Sequence, residues 1–491
     1  MSMAPGLPPR PPTPPAHAGP PTPADVLDRA GLSAAEAADW AASAPGPGGS
    51  FDAAAEAVSA FLARGQGLIH RLPGPARRTA AERAAAAAIA GIMDGARERF
   101  LRSHAAALYD AVTGGRTGSL RLEALLREVA ARVPGLVPTS AQMDAERARP
   151  LREKEGIELA QGLLVGSVLA VPEAGRHLID AMLRPTPQAL ERLPELRARG
   201  IVDLGPVRVT RTGRAGILEL SNPRHLNAED DVTLGPTECG VDLILLDPDI
   251  EIGVIRGGVV EHSRYPGTRV FGSGLNLTRL YHGRIDFLFY LLRDLGYVHK
   301  IYRGLAPAAP DSGAERGGLG GLSPRASTVE KLWVAAVERL AVGGACQLLH
   351  VVDHVIATRG SRLFLPARKE GIIPGASNLR LPRFVGDRAA RQAILSGREW
   401  TAGKPDAALL CDEVVEPDEM DRAIEARIEA LTNSGLVNAT ANRAVLRAGQ
   451  EPLDLFREYM AIFSAEQARC HLSPALVRNL EEHWSARERS L

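Results

Sequence analysis

This chain of 491 residues has few cysteines and a formal net charge of zero. Lys plus Arg and Asp plus Glu both number 58, so no overall charge favours nucleic acid or an anionic membrane surface. None of the few cysteines forms the CxxC spacing of a zinc or dithiol site. We therefore expect reduced thiols in a cytoplasmic protein. The four cysteines are Cys239, Cys346, Cys411 and Cys470.

Long hydrophobic runs are also missing. No apolar stretch reaches the roughly 18 residues that a membrane helix needs, and the first residues lack the apolar segment of a signal peptide. Residues 1–23 are instead rich in proline and are predicted to form a disordered tail. With 45% hydrophobic residues, the chain as a whole is predicted to be globular and soluble.

Hydrophobic periodicity divides the rest of the chain into three segments. Residues 24–199 are rich in Ala, Leu, Arg and Glu, with apolar residues at three- and four-residue spacing, which predicts a helical domain. Residues 200–415 alternate strand-like runs with helical stretches, which predicts an α/β core with a largely parallel sheet. Residues 416–491 return to helical periodicity and are predicted to form a C-terminal helical extension.

The same pattern predicts individual elements inside the α/β core. A hairpin is predicted at Val207–Leu220, a helical stretch at Ile285–Tyr302, and an exposed loop at the glycine-rich segment 313–321. Short apolar runs bounded by turn residues predict strands. These runs are Val241–Leu246, Ile252–Ile255, Arg269–Phe271 and Leu332–Val337.

Two glycine-rich turns carry the main chemical signal. One reads VFGSGLNL at residues 270–277, and the other reads LAVGGACQ at residues 340–347. Each is predicted to follow a strand and to open a helix, so that free backbone N–H groups point at an anion. Either turn alone is a weak signal, because glycine is common in tight turns. Together, the turns can each supply one N–H to a single carbonyl oxygen.

The residues after the second turn read FLP at 364–366, EGIIPGA at 370–376 and RL at 380–381. With the two turns, these stretches resemble the crotonase (enoyl-CoA hydratase/isomerase) superfamily. The resemblance implies an α/β crotonase core of ββα units, flanked here by an N-terminal helical domain and a C-terminal helical extension. It also implies an oxyanion hole formed by the amides of Leu275 and Gly344. The first turn is then expected to contact substrate through Ser273, Gly274, Asn276 and Leu277.

Two departures separate the chain from the hydratases of that superfamily. Hydratases carry one catalytic glutamate three residues after the second oxyanion glycine, and another just after the proline of the next strand. This chain has Gln347 and Ala367 at those positions. Because neither side chain exchanges a proton near neutral pH, hydration by paired carboxylates is not expected.

Four further stretches read NPRHLNAEDD at 222–231, DLILLDP at 242–248, RGG at 256–258 and LRDLGY at 292–297. They resemble one branch of the superfamily, the dioxygenases that act on 3,5-dihydroxyphenylacetyl-CoA on the way to dihydroxyphenylglycine in glycopeptide antibiotic biosynthesis. The resemblance implies an oxidoreductase without metal or other cofactor. Dioxygen and the acyl-CoA would be its substrates, and an aryl 2-oxo acid and free coenzyme A its products.

The branch also implies roles for individual residues. Glu229, Arg293 and Gln347 would contact the hydroxylated ring, and Ile372 would line an apolar pocket for dioxygen. A homotrimer or homohexamer is implied, in which the C-terminal helices close a neighbour's site. None of these residues is an obvious general base. The residues expected to meet the coenzyme A phosphates, just before the first turn, are His262 and Arg269.

Three other interpretations stay open on the sequence. His350 and His354 lie four residues apart on a predicted helix, a spacing that can bind a metal ion. The same enolate could serve an acyl-CoA hydrolase, isomerase or decarboxylase acting on an arylacetyl thioester. A catalytically inactive relative could act as a scaffold or coenzyme A sensor. Oxygen uptake with the arylacetyl thioester separates the dioxygenase from the other enzymes.

Overall fold

The computed structural model describes residues 30–46, 48–306, 328–433 and 435–491. The predicted proline-rich tail at 1–23 and the glycine-rich loop at 313–321 lie outside the described residues. Within the four described ranges, no helix combines the length and the apolar character needed to cross a lipid bilayer.

Among the described residues, eight α-helices precede the first strand, as the periodicity of this segment predicts. The longest one begins with a capping box between Thr79 and Glu82 and ends at Gly114 in the left-handed conformation. The helices are α1 (Ala34–Ala42), α2 (Phe51–His70), α3 (Ala80–Thr113), α4 (Leu122–Arg132), α5 (Ser140–Arg147), α6 (Leu159–Ala170), α7 (Pro172–Met182) and α8 (Pro187–Arg199).

A seven-stranded sheet forms the centre of the fold, in the order β1-β2-β3-β4-β5-β7-β10. The first three strands pair antiparallel and the others pair parallel. The middle strands are almost wholly buried, which is typical of parallel strands covered on both faces. The strands are β1 (Ile201–Asp203), β2 (Val207–Thr212), β3 (Ala215–Leu220), β4 (Ile252–Gly257), β5 (Leu332–Val337), β7 (His354–Thr358) and β10 (Glu413–Val415).

A second, three-stranded sheet has the order β6-β8-β9, with strands β6 (Leu340–Val342), β8 (Arg362–Phe364) and β9 (Glu399–Thr401). Helices connect the strands of both sheets. These helices are α9 (Leu234–Leu246), α10 (Leu277–Tyr281), α11 (Leu288–Leu295), α12 (Tyr297–Arg303), α13 (Gly344–Leu348), α14 (Ala367–Glu370) and α15 (Ser377–Ser396).

Four helices follow the last strand: α16 (Met420–Thr432), α17 (Leu436–Gln450), α18 (Leu453–His471) and α19 (Pro474–Trp484). Helix α18 packs directly on α6 of the N-terminal segment. A Cβ atom added to Gly162 would lie 2.7 Å from the carbonyl oxygen of Ser464, so the two helix backbones approach as closely as glycine allows. The helical segments at the two ends of the chain therefore share one hydrophobic core.

The predicted fold class, an α/β core with helical segments on both sides, is confirmed. The hairpin and the strands at Ile252–Ile255 and Leu332–Val337 are also confirmed. The helical stretch at Ile285–Tyr302 is present as two helices, α11 and α12, which meet at Gly296. The exact domain boundaries stay predictions.

Two strand predictions were wrong. The run Val241–Leu246 lies in helix α9, because a short apolar run fits a buried helix as well as a buried strand. Inside that helix, Asp242 accepts a hydrogen bond of 2.7 Å from the buried ammonium of Lys300. The run Arg269–Phe271 forms no strand, and this part of the chain makes only isolated bridges, such as Val259 with Arg269.

The chain segment that leads into the first glycine-rich turn crosses closely over the end of β4. A Cβ atom added to Gly257 would lie 1.8 Å from the carbonyl oxygen of Val270. We expect Gly257→Ala to displace residues 270–272 and to lower the free energy of unfolding by about 1–3 kcal/mol, measured by urea denaturation.

Gly235→Ala on α9 is the matched control for that substitution. No described heavy atom lies within 4 Å of a Cβ added to Gly235, so this variant is expected to be as stable as the native chain or slightly more stable. Equal stability of the two variants would contradict the close approach at Gly257.

Candidate active site

The two glycine-rich turns meet beside the three-stranded sheet. Gly272 of the first turn forms a parallel bridge with Ala341 of β6. The Gly272 N–H donates to the Leu340 carbonyl, and the Val342 N–H donates to the Gly272 carbonyl, both at 3.1 Å. This bridge holds the first turn directly against the strand that leads into the second turn.

Leu275 and Gly344 line the same cavity, and neither backbone N–H donates a hydrogen bond to another described residue. The Gly344 N–H lacks a partner because Gly344 is the first residue of α13, and the first N–H groups of a helix have no partner within the helix. The structure therefore brings together the two amides that the sequence assigned to an oxyanion hole.

The cavity is lined by two sets of side chains, which are called here the apolar wall and the polar wall. One wall is apolar and includes Leu275, Phe289, Pro366, Ile372, Ile373 and Pro374. The other wall is polar and includes Glu229, Tyr290, Arg293, Asp294, Gln347 and Glu370. A ligand in this cavity would have an apolar body held against the first wall and polar groups directed at the second.

Arg293 on α11 organises the polar wall. Its guanidinium donates to Glu229 through Nε (2.5 Å, to Oε2) and Nη2 (3.1 Å, to Oε1). It also donates through Nη1 to Oε1 of Gln347 at 2.8 Å and through Nη2 to the carbonyl of Gly344 at 2.7 Å. Of the three residues predicted to contact a hydroxylated ring, Glu229 and Gln347 are thus each hydrogen-bonded to Arg293.

The charge on Arg293 is maintained although the side chain is only 3% exposed. Burial is the largest single influence and lowers the pKa of Arg293, but Glu229, Tyr297 and Asp294 together outweigh it, so this pKa is raised above its ordinary value. The guanidinium therefore stays protonated at any physiological pH. The polar wall presents this cation, bound to Glu229, to whatever occupies the cavity.

Asp294, the next residue along α11, is buried in the same wall. Burial raises the pKa of Asp294, opposed by the nearby cations of Arg293 and Arg380 and by a hydrogen bond from the backbone of Ala376. Its Oδ1 lies 3.6 Å from Nη1 of Arg293. Asp294 therefore lies beside the guanidinium, although its buried Oδ1 accepts no hydrogen bond from another described residue.

Glu370 is a cavity residue that the sequence analysis missed. It ends the short helix α14 and is 6% exposed, yet its carboxyl group forms no hydrogen bond or ion pair with another described residue. Burial alone raises the pKa of Glu370 to about 7. A signal was available, since Glu370 opens the EGIIPGA stretch, three residues after Ala367, where hydratases carry a carboxylate.

The polar side chains of the first turn are occupied within the protein. Ser273 Oγ donates to the carbonyl of His225 at 2.9 Å, and Asn276 Nδ2 donates to the carboxylate of Asp230 at 3.0 Å. These bonds fix the shape of the turn. The carbonyl of Gly274 accepts from the Glu229 N–H, and Leu277 begins α10. Contact of these four turn residues with a substrate stays a prediction.

His262 and Arg269 are not brought to this cavity. Arg269 Nη1 donates to the Glu219 carboxylate at 2.5 Å and to the carbonyl of Gly257 at 3.0 Å. His262 Nδ1 accepts from the Arg264 N–H at 3.1 Å, in a partly exposed loop. Their predicted contact with phosphate groups stays a prediction, and at Arg269 a phosphate would compete with Glu219.

The predicted helix through His350 and His354 was wrong. Helix α13 ends at Leu348, and His354 is the first residue of β7, so the two histidines do not share a helical face. His350 Nδ1 lies 3.1 Å from Ser377 Oγ, and burial lowers the pKa of His350 to about 3. Across the described residues, no group of three or more His, Cys, Asp or Glu is arranged to hold a metal ion.

Comparisons with known proteins identify relatives of this chain. Residues 313–461 match the family described as enoyl-CoA hydratase/isomerase. A (3,5-dihydroxyphenyl)acetyl-CoA 1,2-dioxygenase from Amycolatopsis orientalis is 47% identical over 402 residues, which cover 82% of this chain and 89% of that relative. A probable enoyl-CoA hydratase from Rhizobium meliloti is 28% identical over 213 residues, which cover 43% of this chain and 69% of the relative.

Among solved structures, an enoyl-CoA hydratase from Mycobacterium avium subsp. paratuberculosis aligns with a TM-score of 0.45 and 17% identity. The alignment covers 59% of this chain and 99% of that chain. An enoyl-CoA hydratase/isomerase from Xanthobacter autotrophicus aligns with the same TM-score and 19% identity, covering 58% of this chain and 96% of that chain.

The raised pKa of Glu370 has a consequence for stability. Because the folded chain binds this proton more tightly than the unfolded chain, the stability contributed by protonated Glu370 is fully present below its ordinary pKa of 4.5. It is lost as the pH rises through about 7. We expect Glu370→Gln to raise the free energy of unfolding at pH 8 by an amount on the order of 3 kcal/mol, with little change at pH 4.5.

Urea denaturation at both pH values measures this difference. Glu425→Gln, which makes the same chemical change at an exposed position of α16, is the control and is expected to leave stability unchanged at both pH values. A Glu370→Gln variant that is no more stable than the native chain at pH 8 would show that Glu370 is not held in a desolvated site.

Proposed function

Since the chain belongs to the enoyl-CoA hydratase/isomerase (crotonase) family, we propose that it is a dioxygenase within it. It converts 3,5-dihydroxyphenylacetyl-CoA and dioxygen to 3,5-dihydroxyphenylglyoxylate and free coenzyme A. One observation carries this proposal: the Glu229–Arg293–Gln347 network lies in one cavity with two unpaired backbone amides. The activity of the relative that is 47% identical supports the same substrate.

The thioester oxygen would be held by the amides of Leu275 and Gly344. Both N–H groups are free of other described partners, so they can bind the oxygen without breaking a hydrogen bond in the protein. Donors fixed in this way stabilise a developing enolate more than water does, because they need no reorganisation as the charge appears. This stabilisation lowers the barrier to losing a proton from the carbon next to the thioester.

The dihydroxyphenyl ring would lie against the polar wall. The Glu229 carboxylate has lone pairs beyond the two N–H bonds from Arg293, and these can accept a hydrogen bond from a ring hydroxyl. Gln347 uses its Oε1 to accept from Arg293, which leaves its Nε2 group to donate to the second ring oxygen. The apolar wall with Phe289 and Ile372 would pack against the reacting carbon and leave space for dioxygen.

The reaction then follows from the chemistry of the enolate. Loss of one proton gives a carbanion spread over the aryl ring and the oxyanion hole, and this electron-rich species reduces dioxygen and joins it to form a peroxide at the former CH₂ carbon. Attack of the peroxide on the thioester carbon expels the coenzyme A thiolate. Loss of the remaining proton from the peroxide-bearing carbon breaks the O–O bond and leaves the aryl 2-oxo acid.

We propose that this chemistry needs no metal ion, flavin or other redox cofactor, because the substrate enolate supplies the electrons. Dioxygen ordinarily reacts slowly with closed-shell molecules, which is why many oxygenases recruit iron, copper or flavin. A resonance-stabilised enolate, held and oriented in the cavity, would replace that requirement.

We also propose that the chain assembles as a homotrimer or homohexamer. Helices α17 and α18 carry exposed apolar side chains that a neighbouring copy could cover, among them Val437, Val445, Leu446 and Ile462. Analytical ultracentrifugation of the purified protein measures the assembly directly.

The Gly344 amide can be tested with a pair of variants. A Cβ atom at this position lies 2.6 Å from Glu229 Oε2, so Gly344→Ala and Gly344→Pro disturb the polar wall alike. Only proline also removes the N–H. We expect the proline variant to turn over about 100- to 1000-fold more slowly than the alanine variant, measured as oxygen consumption with 3,5-dihydroxyphenylacetyl-CoA. Equal rates in two folded variants would remove this amide from the site.

The proposed function itself is tested with chelator-dialysed protein. We expect stoichiometric consumption of oxygen and release of coenzyme A from 3,5-dihydroxyphenylacetyl-CoA, with isotope from ¹⁸O₂ incorporated into the 2-oxo acid. Release of coenzyme A without oxygen consumption would identify a hydrolase instead. Activity that is lost after chelation and restored by iron would show that a metal ion takes part.

A further inference from the structure

The proposed reaction needs a group that accepts the proton next to the thioester, and the residues assigned so far do not include one. The described residues that line the cavity contain no histidine or lysine. Their proton-accepting side chains are three carboxyl groups and one phenol: Glu229, Asp294, Glu370 and Tyr290.

Two of the three carboxyl groups already have protein partners. Glu229 is bound through both oxygens by Arg293, and Asp294 accepts from the backbone of Ala376 and lies 3.6 Å from the same guanidinium. Either carboxylate would have to weaken these contacts in order to accept a proton from the substrate. The carboxyl group of Glu370 has no such partner among the described residues, and Glu370 lines the same cavity.

Tyr290 is the neighbouring ionisable group, and it does not compete with Glu370 for this role. Burial raises the pKa of Tyr290 well above its ordinary value, and the charge of Glu370 raises it further. Its hydroxyl lies 3.4 Å from Nδ1 of His471. The phenol therefore stays protonated at neutral pH, and Glu370 is the group in this part of the cavity that can take up a proton.

The position of Glu370 fits the geometry of the proposed substrate. Helix α14 begins at Ala367, directly after Pro366, and both residues border the cavity together with Gly343 and Gly344. Glu370 follows Ala367 by three residues, so it lies on the same face of this single helical turn. A thioester held by the Gly344 amide therefore lies in the cavity that the Glu370 carboxyl group also borders.

We infer that Glu370 is the catalytic base that removes the proton from the carbon between the ring and the thioester, an inference that rests on the proposed function. The C–H bond breaks, its electron pair enters the enolate held by the Leu275 and Gly344 amides, and the Glu370 carboxylate becomes a carboxylic acid. When the peroxide expels coenzyme A, the acid returns this proton to the departing thiolate. Glu370 is then ready to accept the second proton.

The desolvated site of Glu370 suits this role. Burial raises the pKa of Glu370 to about 7, and a base is most effective when its pKa lies near the working pH. The charged groups that face the same cavity are Arg293, paired with Glu229, and Asp294. Because Arg293 is paired with Glu229 and no described group is paired with Glu370, Glu370 can change its protonation state without losing an ion pair.

The test separates proton removal from oxygen chemistry. Under anaerobic conditions in deuterated water, the native protein is expected to exchange the α-protons of 3,5-dihydroxyphenylacetyl-CoA, measured by mass spectrometry. Glu370→Gln is expected to slow this exchange by at least about 100-fold. Calorimetric binding of the same thioester without oxygen is expected to change less than about threefold, since the variant keeps the shape of the cavity.

Two further measurements distinguish a base from a structural residue. In the native protein, kcat/KM is expected to fall about tenfold for each pH unit below about 7. Glu370→Asp keeps a carboxyl group. This variant is expected to recover part of the exchange rate and to shift the pH below which kcat/KM falls. Glu425→Gln on the exposed face of α16 is the control and is expected to match the native exchange rate.

Different experimental outcomes would overturn the role of Glu370 and the proposed function. Native-like exchange in a folded Glu370→Gln variant would overturn the role of Glu370 while oxygen consumption by the native protein still supports the dioxygenase. A native protein that binds the thioester but neither exchanges its α-protons nor consumes oxygen would overturn both.

Discussion

The ion pair between Arg293 and Glu229 fixes the relative position of the two glycine-rich turns. The Glu229 backbone is bonded to the first turn on both sides, since its N–H donates to Gly274 and its carbonyl accepts from Asn276. Its side chain binds Arg293, which also donates to the Gly344 carbonyl in the second turn. Because a buried charge without its partner costs several kcal/mol, neither turn can shift without breaking this network.

The helix that carries Arg293 is itself positioned by the two ends of the chain. The buried carboxylate of Glu158 in the N-terminal helical segment accepts from the N–H of Phe287, just before α11. The same carboxylate lies 3.1 Å from Nε2 of His471, at the end of α18. His471 in turn lies beside Tyr290 in the cavity wall. The flanking helices therefore determine the position of the Arg293 guanidinium, although they contribute little to the cavity surface.

Sequence patterns predicted well those features that depend on local backbone chemistry. The turns at 270–277 and 340–347 are recognisable because glycine and the positions of free N–H groups are local properties. The trio of Glu229, Arg293 and Gln347 followed from family resemblance, and the structure shows the three side chains in contact.

Features that depend on burial were not predictable in the same way. The run at Val241–Leu246 is apolar except for the buried Asp242, so its periodicity could not separate a helix from a strand. Glu370 was missed because its raised pKa results from burial without a partner, and a local sequence pattern does not show burial. The separation of His350 and His354 depends on where a five-residue helix ends, and helix ends are the least predictable part of an element.

The packing of α18 on α6 also constrains how the chain matures during synthesis. Arg457 on α18 donates a hydrogen bond to the carbonyl of Leu169, 288 residues earlier in the chain. The N-terminal helices thus leave the ribosome long before the surface that covers them exists, and contacts of such long range form slowly. Until α18 has been synthesised, the apolar side chains that pack against it lack this partner, and unpaired apolar surface of this kind makes a chain prone to aggregation.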